Sequence, residues 1–143
     1  MRPDWNEYFL SIAKVVALRS DCRRAQVGAV IVDRHQRIVS TGYVGTAPRA
    51  TGCLDGGCPR GLLSYEQRPA GGSYEDCISF HAEVNALLYS DRSRHEGGTI
   101  YITREPCNGC AKMINASGLA SAIWDDNYGD GIAIVREIGA ACG

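Results

Sequence analysis

Four residues of this 143-residue chain have the types and spacing to do chemistry together. They are His81 and Glu83 in the stretch SFHAEVNALLYS, and Cys107 and Cys110 in PCNGC. Two cysteines three apart share one face of a helix. They follow Pro106, so they fall in the helix's first turn, where the helix dipole and unpaired N–H groups favour thiolates. Two thiolates so placed bind a soft divalent ion. A third ligand from His81 leaves a tetrahedral zinc with one position open. Three protein ligands plus water is the catalytic arrangement, and a closed set of four is the structural one.

Glu83 then has a task. On an ideal helix, residues two apart point about 200° away from each other. His81 and Glu83 therefore border one pocket only if His81 stands at the helix's very start, before the backbone becomes regular. Zinc lowers the pKa of its water from ~15.7 to about 7, and a carboxylate beside that water takes its proton and passes it to a leaving group. Attack by hydroxide followed by protonation of an amine is hydrolytic deamination. A lone C-x-x-C is common, and a lone histidine at a helix start is usually a satisfied polar group. It is the combination H-x-E with P-C-x-x-C that is the signature of zinc-dependent nucleobase deaminases.

The surrounding pattern predicts the elements that hold these residues. Apolar positions Trp5, Tyr8, Phe9, Ile12, Val15 and Val16 recur at three and four, which predicts a helix capped by Asp4 and running to about Leu18. The β-branched run 27–32 predicts a buried strand, 33–37 a hairpin turn and 37–42 the returning strand. Residues 43–76 are rich in Gly, Pro and Ser and read as a long loop. Helices are expected from His81 to about Tyr89, from about Cys107 to Ser117, and over 131–138. Strands are expected at 99–103 and 120–124. The alternation of helix and strand after His81 favours a layered α/β domain with partly parallel strands. Trp5 and Trp124 read as core, and His35 and His95 as solvent-facing.

Length fits a single domain over residues 1–143. The formal net charge of −1 argues against a polynucleotide as partner. Of 15 basic residues only Lys14 and Lys112 are lysines, a bias read as composition rather than as a row of phosphate contacts. No apolar run approaches the ~20 residues of a membrane span, and the polar, acidic start of the chain does not read as a signal peptide. The expectation is a cytoplasmic protein. Its seven cysteines are then better explained by metal than by disulfides, since a reducing compartment disfavours the latter.

On the stretches YFLSIAKVVALRSDCRRAQVGAVIV, RIVSTGY, HAEVNALLY, PCNGCAKMINASG and NYGDG, the chain resembles the zinc-dependent cytidine deaminase superfamily. More narrowly it resembles the deoxycytidylate (dCMP) deaminases. The resemblance covers most of the chain, with 45–76 weakly matched. It implies a three-layer α/β/α domain with a central mixed sheet of about five strands, the last one truncated. It implies zinc on His81, Cys107 and Cys110, Glu83 as proton shuttle, and conversion of dCMP to dUMP and ammonia. The backbone N–H of Ala82 inherits the contact to the pyrimidine carbonyl, and Tyr128 borders the nucleotide. Val27, Val44 and Thr103 fall at the other substrate-contacting positions. A homo-oligomer, a hexamer by preference, responding to dCTP and dTTP is also implied.

Two departures stand out. Relatives carry Asn in GYNG where it contacts the sugar, and here that position is Val44, whose side chain forms no hydrogen bond. Loss of such a bond alters discrimination considerably. Relatives also continue into a further strand where this chain reads Ala141-Cys142-Gly143. Of the remaining cysteines, Cys22, Cys53, Cys58 and Cys77 come from regions that hold a second, structural zinc in several dCMP deaminases. The bland alternative is buried thiols. Arg49, Arg60 and Arg68 in the long loop are candidates for a 5′-phosphate, Arg geometry being suited to it, although solvated surface is the ordinary reading of each.

Competing functions follow from the same residues. Val44 keeps open a different cytosine substrate: dCTP, a free nucleoside or a modified nucleotide. Polynucleotide editing requires a basic stripe with stacking aromatics, which the charge balance does not provide. A purely structural zinc protein would have no use for Glu83.

Overall fold

The structure is a computed structural model that describes residues 1–22, 25–57, 79–125 and 127–130. Helix α1 (Trp5–Ala17) starts where Asp4 accepts the Glu7 N–H at 2.8 Å. Its buried positions Phe9, Ala13 and Ala17 fall at spacing four and face strand β1 (Gly28–Val32). Contact there is backbone to backbone: a Cβ on Gly28 would run into the Ala13 carbonyl. The hairpin from β1 returns through β2 (Ile38–Tyr43), with Asp33 accepting the N–H groups of His35 and Arg37 in the turn.

After the short 3-10 turn Cys53–Asp55 come helices α2 (Ala82–Leu88) and α3 (Arg92–His95), strand β3 (Thr99–Ile102), helix α4 (Asn108–Ala116) and strands β4 (Ser121–Trp124) and β5 (Asn127–Asp130). These strands form one five-stranded sheet in the order β2-β1-β3-β4-β5. Strand β1 runs antiparallel to both β2 and β3, β3 and β4 are parallel, and β4 and β5 are antiparallel. A parallel pair needs a crossover connection, and α4 is that crossover.

The period-two alternation of the strands sorts the core into two halves. Val30, Val32 and Tyr101 pack with Phe9 and Ala13 on the α1 side. Ala29, Ile31, Ile100, Ile102, Ala122 and Trp124 pack with Ala82, Ala86, Ala111 and Ile114 on the side of α2 and α4. Helix, sheet and helix make the three layers expected from the sequence, and the sheet is mixed as expected.

Several local expectations needed correction. Residues 127–130 form β5 as a hairpin partner of β4, because Asp125 takes a positive φ of 41° and reverses the chain. The short helix α3 was not foreseen in its polar stretch. His95 is buried, not solvent-facing, since its Nδ1 meets Ser90 Oγ at 2.6 Å and its Nε2 meets Ser117 O at 2.8 Å. Trp5 is 54 % exposed and covers Phe9 from outside by stacking, whereas Trp124 is buried as read. The helix expected over 131–138 and any strand beyond it lie outside the described residues.

Candidate active site

The site forms where α2 and α4 begin. His81 is the N-cap of α2, with φ −65° and ψ 156°. That extended backbone is the irregular geometry that allows a residue and its i+2 neighbour to meet at one pocket. Glu83 lies in the first turn of α2 and is only 4 % exposed. Cys107 is the N-cap of α4, its sulfur accepting the Cys110 N–H at 3.5 Å. Cys110 is buried and Cys107 exposed, so the group runs from the interior to the surface.

Three tethers fix the start of α2 against β2 and the residues that follow it. Phe80, next to His81, pairs with Gly45 in a small antiparallel bridge, N to O at 2.8 Å one way and 3.2 Å the other. Asn85 donates from its side-chain amide to the Tyr43 carbonyl at 2.8 Å. Ser40 Oγ donates to the Ala86 carbonyl at 2.7 Å. Between these, α2 lies so close to β2 that only a glycine fits at position 42, facing the backbone of Ala82 and Ala86. On the other side, buried Pro106 fixes the entry to α4.

The ligand atoms of His81, Cys107 and Cys110 all lie within 4.8 Å of one another. His81 Nδ1 is 3.5 Å from Cys107 Sγ and 3.4 Å from Cys110 Sγ. Zinc bonds of about 2.3 Å to sulfur and about 2.0–2.1 Å to nitrogen, at a tetrahedral angle, set a sulfur-to-nitrogen separation of about 3.6 Å. The donor set therefore fits zinc in both chemistry and spacing.

Charge at the site is organised in the same way. The Cys107 thiol is drawn down to about 3, first by its hydrogen bond with Cys110 and then by that with His81. Cys110 is pushed up by its bond to Cys107 and by burial. The hydrogen bond to Cys107 raises His81 against the opposing effect of its burial. Burial pushes the Glu83 carboxyl up, while its own backbone N–H and the Cys110 sulfur pull the other way. A carboxyl held in this balance, against one sulfur of the site, is suited to taking and giving a proton.

The other positions singled out from the sequence fall as follows. Ala82 is fully buried and opens α2, so its N–H is one that the helix itself leaves without a carbonyl. Val27 and Val44 are buried in the same core cluster as Ala82. Thr103 closes the end of β3 by exchanging bonds with Gly28: its N–H donates to the Gly28 carbonyl at 3.0 Å and its Oγ1 accepts the Gly28 N–H at 3.2 Å. Tyr128 lies in β5, opposite Ile123. Arg49 is exposed with a positive φ of 71°. Cys22 is half-buried and Cys53 opens the 3-10 turn, while Cys58, Cys77, Arg60 and Arg68 lie outside the described residues.

Sequence reasoning missed most of the anchoring parts. Asn85 stands in the matched stretch HAEVNALLY, where a structural role was one reading, but Ser40, Gly42 and Gly45 act through distant backbone and nothing local marks them.

Comparison with known proteins agrees with this geometry. The model of the cytidine and deoxycytidylate deaminase zinc-binding region matches residues 3–124. Deoxycytidylate deaminase of Mycobacterium phage D29 is 46 % identical over 127 residues, covering 86 % of this chain and 95 % of that protein. Deoxycytidylate deaminase of Saccharomyces cerevisiae is 38 % identical over 129 residues; the match covers 90 % of this chain but only 39 % of the longer yeast protein. Among solved structures, dCMP deaminase from the cyanophage S-TIM5 in complex with dCMP and dUMP superimposes with a TM-score of 0.69 at 26 % identity, covering 97 % of this chain and 95 % of that one. On the family match and the phage relative alike, the chain belongs to the family of the cytidine and deoxycytidylate deaminase zinc-binding region.

Proposed function

We propose that the chain deaminates dCMP to dUMP and ammonia. The observation that carries this reading is Glu83, a buried carboxyl set against a cysteine of a three-ligand metal group. A zinc held only for structure needs no such neighbour. The relatives named as deoxycytidylate deaminases support the substrate.

His81, Cys107 and Cys110 would hold the zinc, which when bound would supply an acidified water. Glu83 would take a proton from that water and deliver it to the departing amine. In balance, a C–O bond forms and the C–N bond breaks at C4 of cytosine, and ammonia leaves with protons that Glu83 has relayed. The Ala82 N–H meets the pyrimidine carbonyl and holds the ring in register. Val27 and Val44 give the pocket an apolar wall, and Thr103 and Tyr128 stand at its border. The whole chain acts as one domain.

A second zinc is part of the same proposal. Asp21 Oδ1 accepts the Leu54 N–H at 2.8 Å, which holds the backbone beside Cys22 against that beside Cys53. Cys58 and Cys77, outside the described residues, would complete a four-thiolate site tying the long loop to the domain, and ligation there would contribute to folding. Metal analysis should give about two zinc ions per chain. One ion per chain, unchanged when Cys53 and Cys58 become Ser, removes the second site. The chain further assembles as a cytoplasmic homo-oligomer, a hexamer by preference, with dCTP and dTTP as effectors. No helix among the described residues is long and apolar enough to cross a membrane.

Val44 supports one alternative. An apolar side chain where relatives carry Asn admits a different cytosine substrate, such as dCTP, deoxycytidine or a modified nucleotide. A panel of these with and without dCTP and dTTP decides the matter. Preference for dCMP is the expected result. Equal rates on dCMP and deoxycytidine refute recognition of the phosphate, and no ammonia release from any cytosine compound refutes the deaminase reading.

A further inference from the structure

Both cysteines of the metal group belong to the start of α4, Cys107 as its N-cap and Cys110 in its first turn. The tethers described above fix α2 and not this helix. The buried face of α4 consists of Cys110, Ala111 and Ile114. Two of these are small, so that face alone gives little resistance to a slide along the helix axis.

The last carbonyls of a helix have no partner inside it. At the end of α4, three successive carbonyls are taken by the one segment 92–97. Arg92 Nη1 donates to the Ala116 carbonyl at 3.0 Å, His95 Nε2 to the Ser117 carbonyl at 2.8 Å, and the Gly97 N–H to the Gly118 carbonyl at 2.8 Å. A carbonyl only accepts, so Nε2 of His95 carries a proton, and in the neutral ring Nδ1 accepts from the Ser90 hydroxyl at 2.6 Å. His95 is buried, which holds that donor in place. Gly118 turns the chain out of the helix with a φ of 89°, and a Cβ there would meet the Arg92 guanidinium at 3.4 Å. A cation at this end is favoured by the helix dipole. At about 1.5 Å per residue, Ala116 lies only about 9 Å along the axis from Cys110. Over so short a rod, a slide or turn at the end reaches the start undiminished.

We infer that Arg92 and His95 are positioning residues for the zinc ligands of α4: they clamp the far end of the helix and so fix where Cys107 and Cys110 meet His81. This rests on the zinc-site reading above and not on the identity of the nucleotide. A purely structural role for the same contacts is to set the register of β3 against β4, which pair from Thr99 and Ser121 onward. Cobalt(II) in place of zinc separates the two, because its visible spectrum reports the geometry and sulfur bonds of the site. Arg92→Ala, Arg92→Lys, His95→Phe and His95→Gln should be compared with the parent by cobalt spectrum, by zinc affinity in competition with a chelator, by melting temperature of the metal-free protein, and by kcat and KM for dCMP. Thr99→Val is the control: it removes the 2.8 Å hydroxyl bond to Ser121 at the same end of the sheet without touching α4.

Arg92→Ala and His95→Phe should shift the cobalt bands and weaken zinc binding on the order of tenfold, the lower end of the range for contacts that orient metal ligands. They should lower kcat on the order of tenfold to a hundredfold, the scale of a small misplacement of reacting groups, with KM little changed. Arg92→Lys keeps the cation and His95→Gln keeps a donor, so each should recover part of the loss. Thr99→Val should lower the melting temperature alone. Cobalt spectra and zinc affinities that match the parent in both Arg92→Ala and His95→Phe overturn the inference, whatever the melting temperatures. An equal disturbance in Thr99→Val also overturns it, by making the effect one of register. Should His95→Phe fail to fold, Arg92→Ala decides alone, since Arg92 is exposed. A parent that binds cobalt without thiolate bands defeats the zinc site itself. A parent with those bands and no turnover of dCMP defeats the deaminase reading and leaves the clamp to be judged by the cobalt and zinc measurements.

Discussion

Asn85 reaches from α2 to the end of β2, its amide donating to the carbonyl of Tyr43 at 2.8 Å. This one side chain links the helix that His81 begins to the strand that precedes Gly45, and Gly45 in turn pairs with Phe80. His81 is therefore positioned from both sides by contacts that lie outside the His/Cys/Cys group. Replacing Asn85 by Ala leaves a carbonyl without its donor, and should cost about 1–3 kcal/mol of stability. Denaturant unfolding should show the loss, and metal analysis should still find zinc in the variant.

Glu83→Gln separates proton transfer from architecture. The amide has the carboxyl's shape and cannot shuttle a proton. Turnover should fall about 10²- to 10⁴-fold, the usual contribution of a positioned acid or base. Zinc content and melting temperature should match the parent. A variant that deaminates at the normal rate would remove Glu83 from the mechanism.

Gly42 tests how closely α2 must pack. A Cβ there would run into the Ala82 carbonyl and the Ala86 amide, both backbone atoms that cannot swing aside. Gly42→Ala should destabilise by about 1–3 kcal/mol, the range for overpacked sites. Because Ala82 adjoins His81, zinc should also bind more weakly. Thermal melts with added zinc or chelator would report both effects.

Zinc uptake should release protons. In the metal-free fold His81 and Cys110 are both pushed up and keep their protons more firmly, while Cys107 is already drawn down to about 3. The metal must displace the protons that remain, so its apparent affinity should rise with pH. Titration of zinc into weakly buffered apoprotein, followed by a pH indicator, measures the release. Binding with no proton release between mildly acidic and neutral pH would contradict this charge arrangement.

Asp33 gives a pH dependence of stability away from the site. The backbone N–H of Arg37 does most to pull its pKa below the ordinary carboxylate value, with that of His35 adding to it. The folded value is therefore below the unfolded one, and the contribution is fully present above about 3.9. It is lost as the pH falls through the folded value. Asp33→Ala should melt below the parent at neutral pH, and the two should converge in acid.

The types of the site residues were legible before any fold was known, because zinc chemistry asks for particular atoms. Cys107 and Cys110 announce themselves by spacing, and His81 with Glu83 by an awkward spacing that only a helix start resolves. Most elements were legible too, since their apolar periods are strong. The errors came where local pattern carries little weight. His95 sits in a polar stretch, yet one hydrogen bond with nearby Ser90 and one with Ser117, 22 residues on, make its burial tolerable. Residues 127–130 have no strong strand pattern, and they pair because Asp125 turns them back onto β4.

The amino-acid sequence alone determined the chemistry this protein has available: an imidazole, two thiols and a carboxyl whose spacings match helix starts. It also determined the α/β layering, because periods of two and of three to four survive in any context. Only the tertiary structure decided that residues 26 or more positions apart meet within hydrogen-bonding distance, as His81 and Cys107 do. That decision rests on sheet register and on close backbone approach at Gly28 and Gly42. Both are properties of how distant segments pack, and no local stretch of residues encodes them.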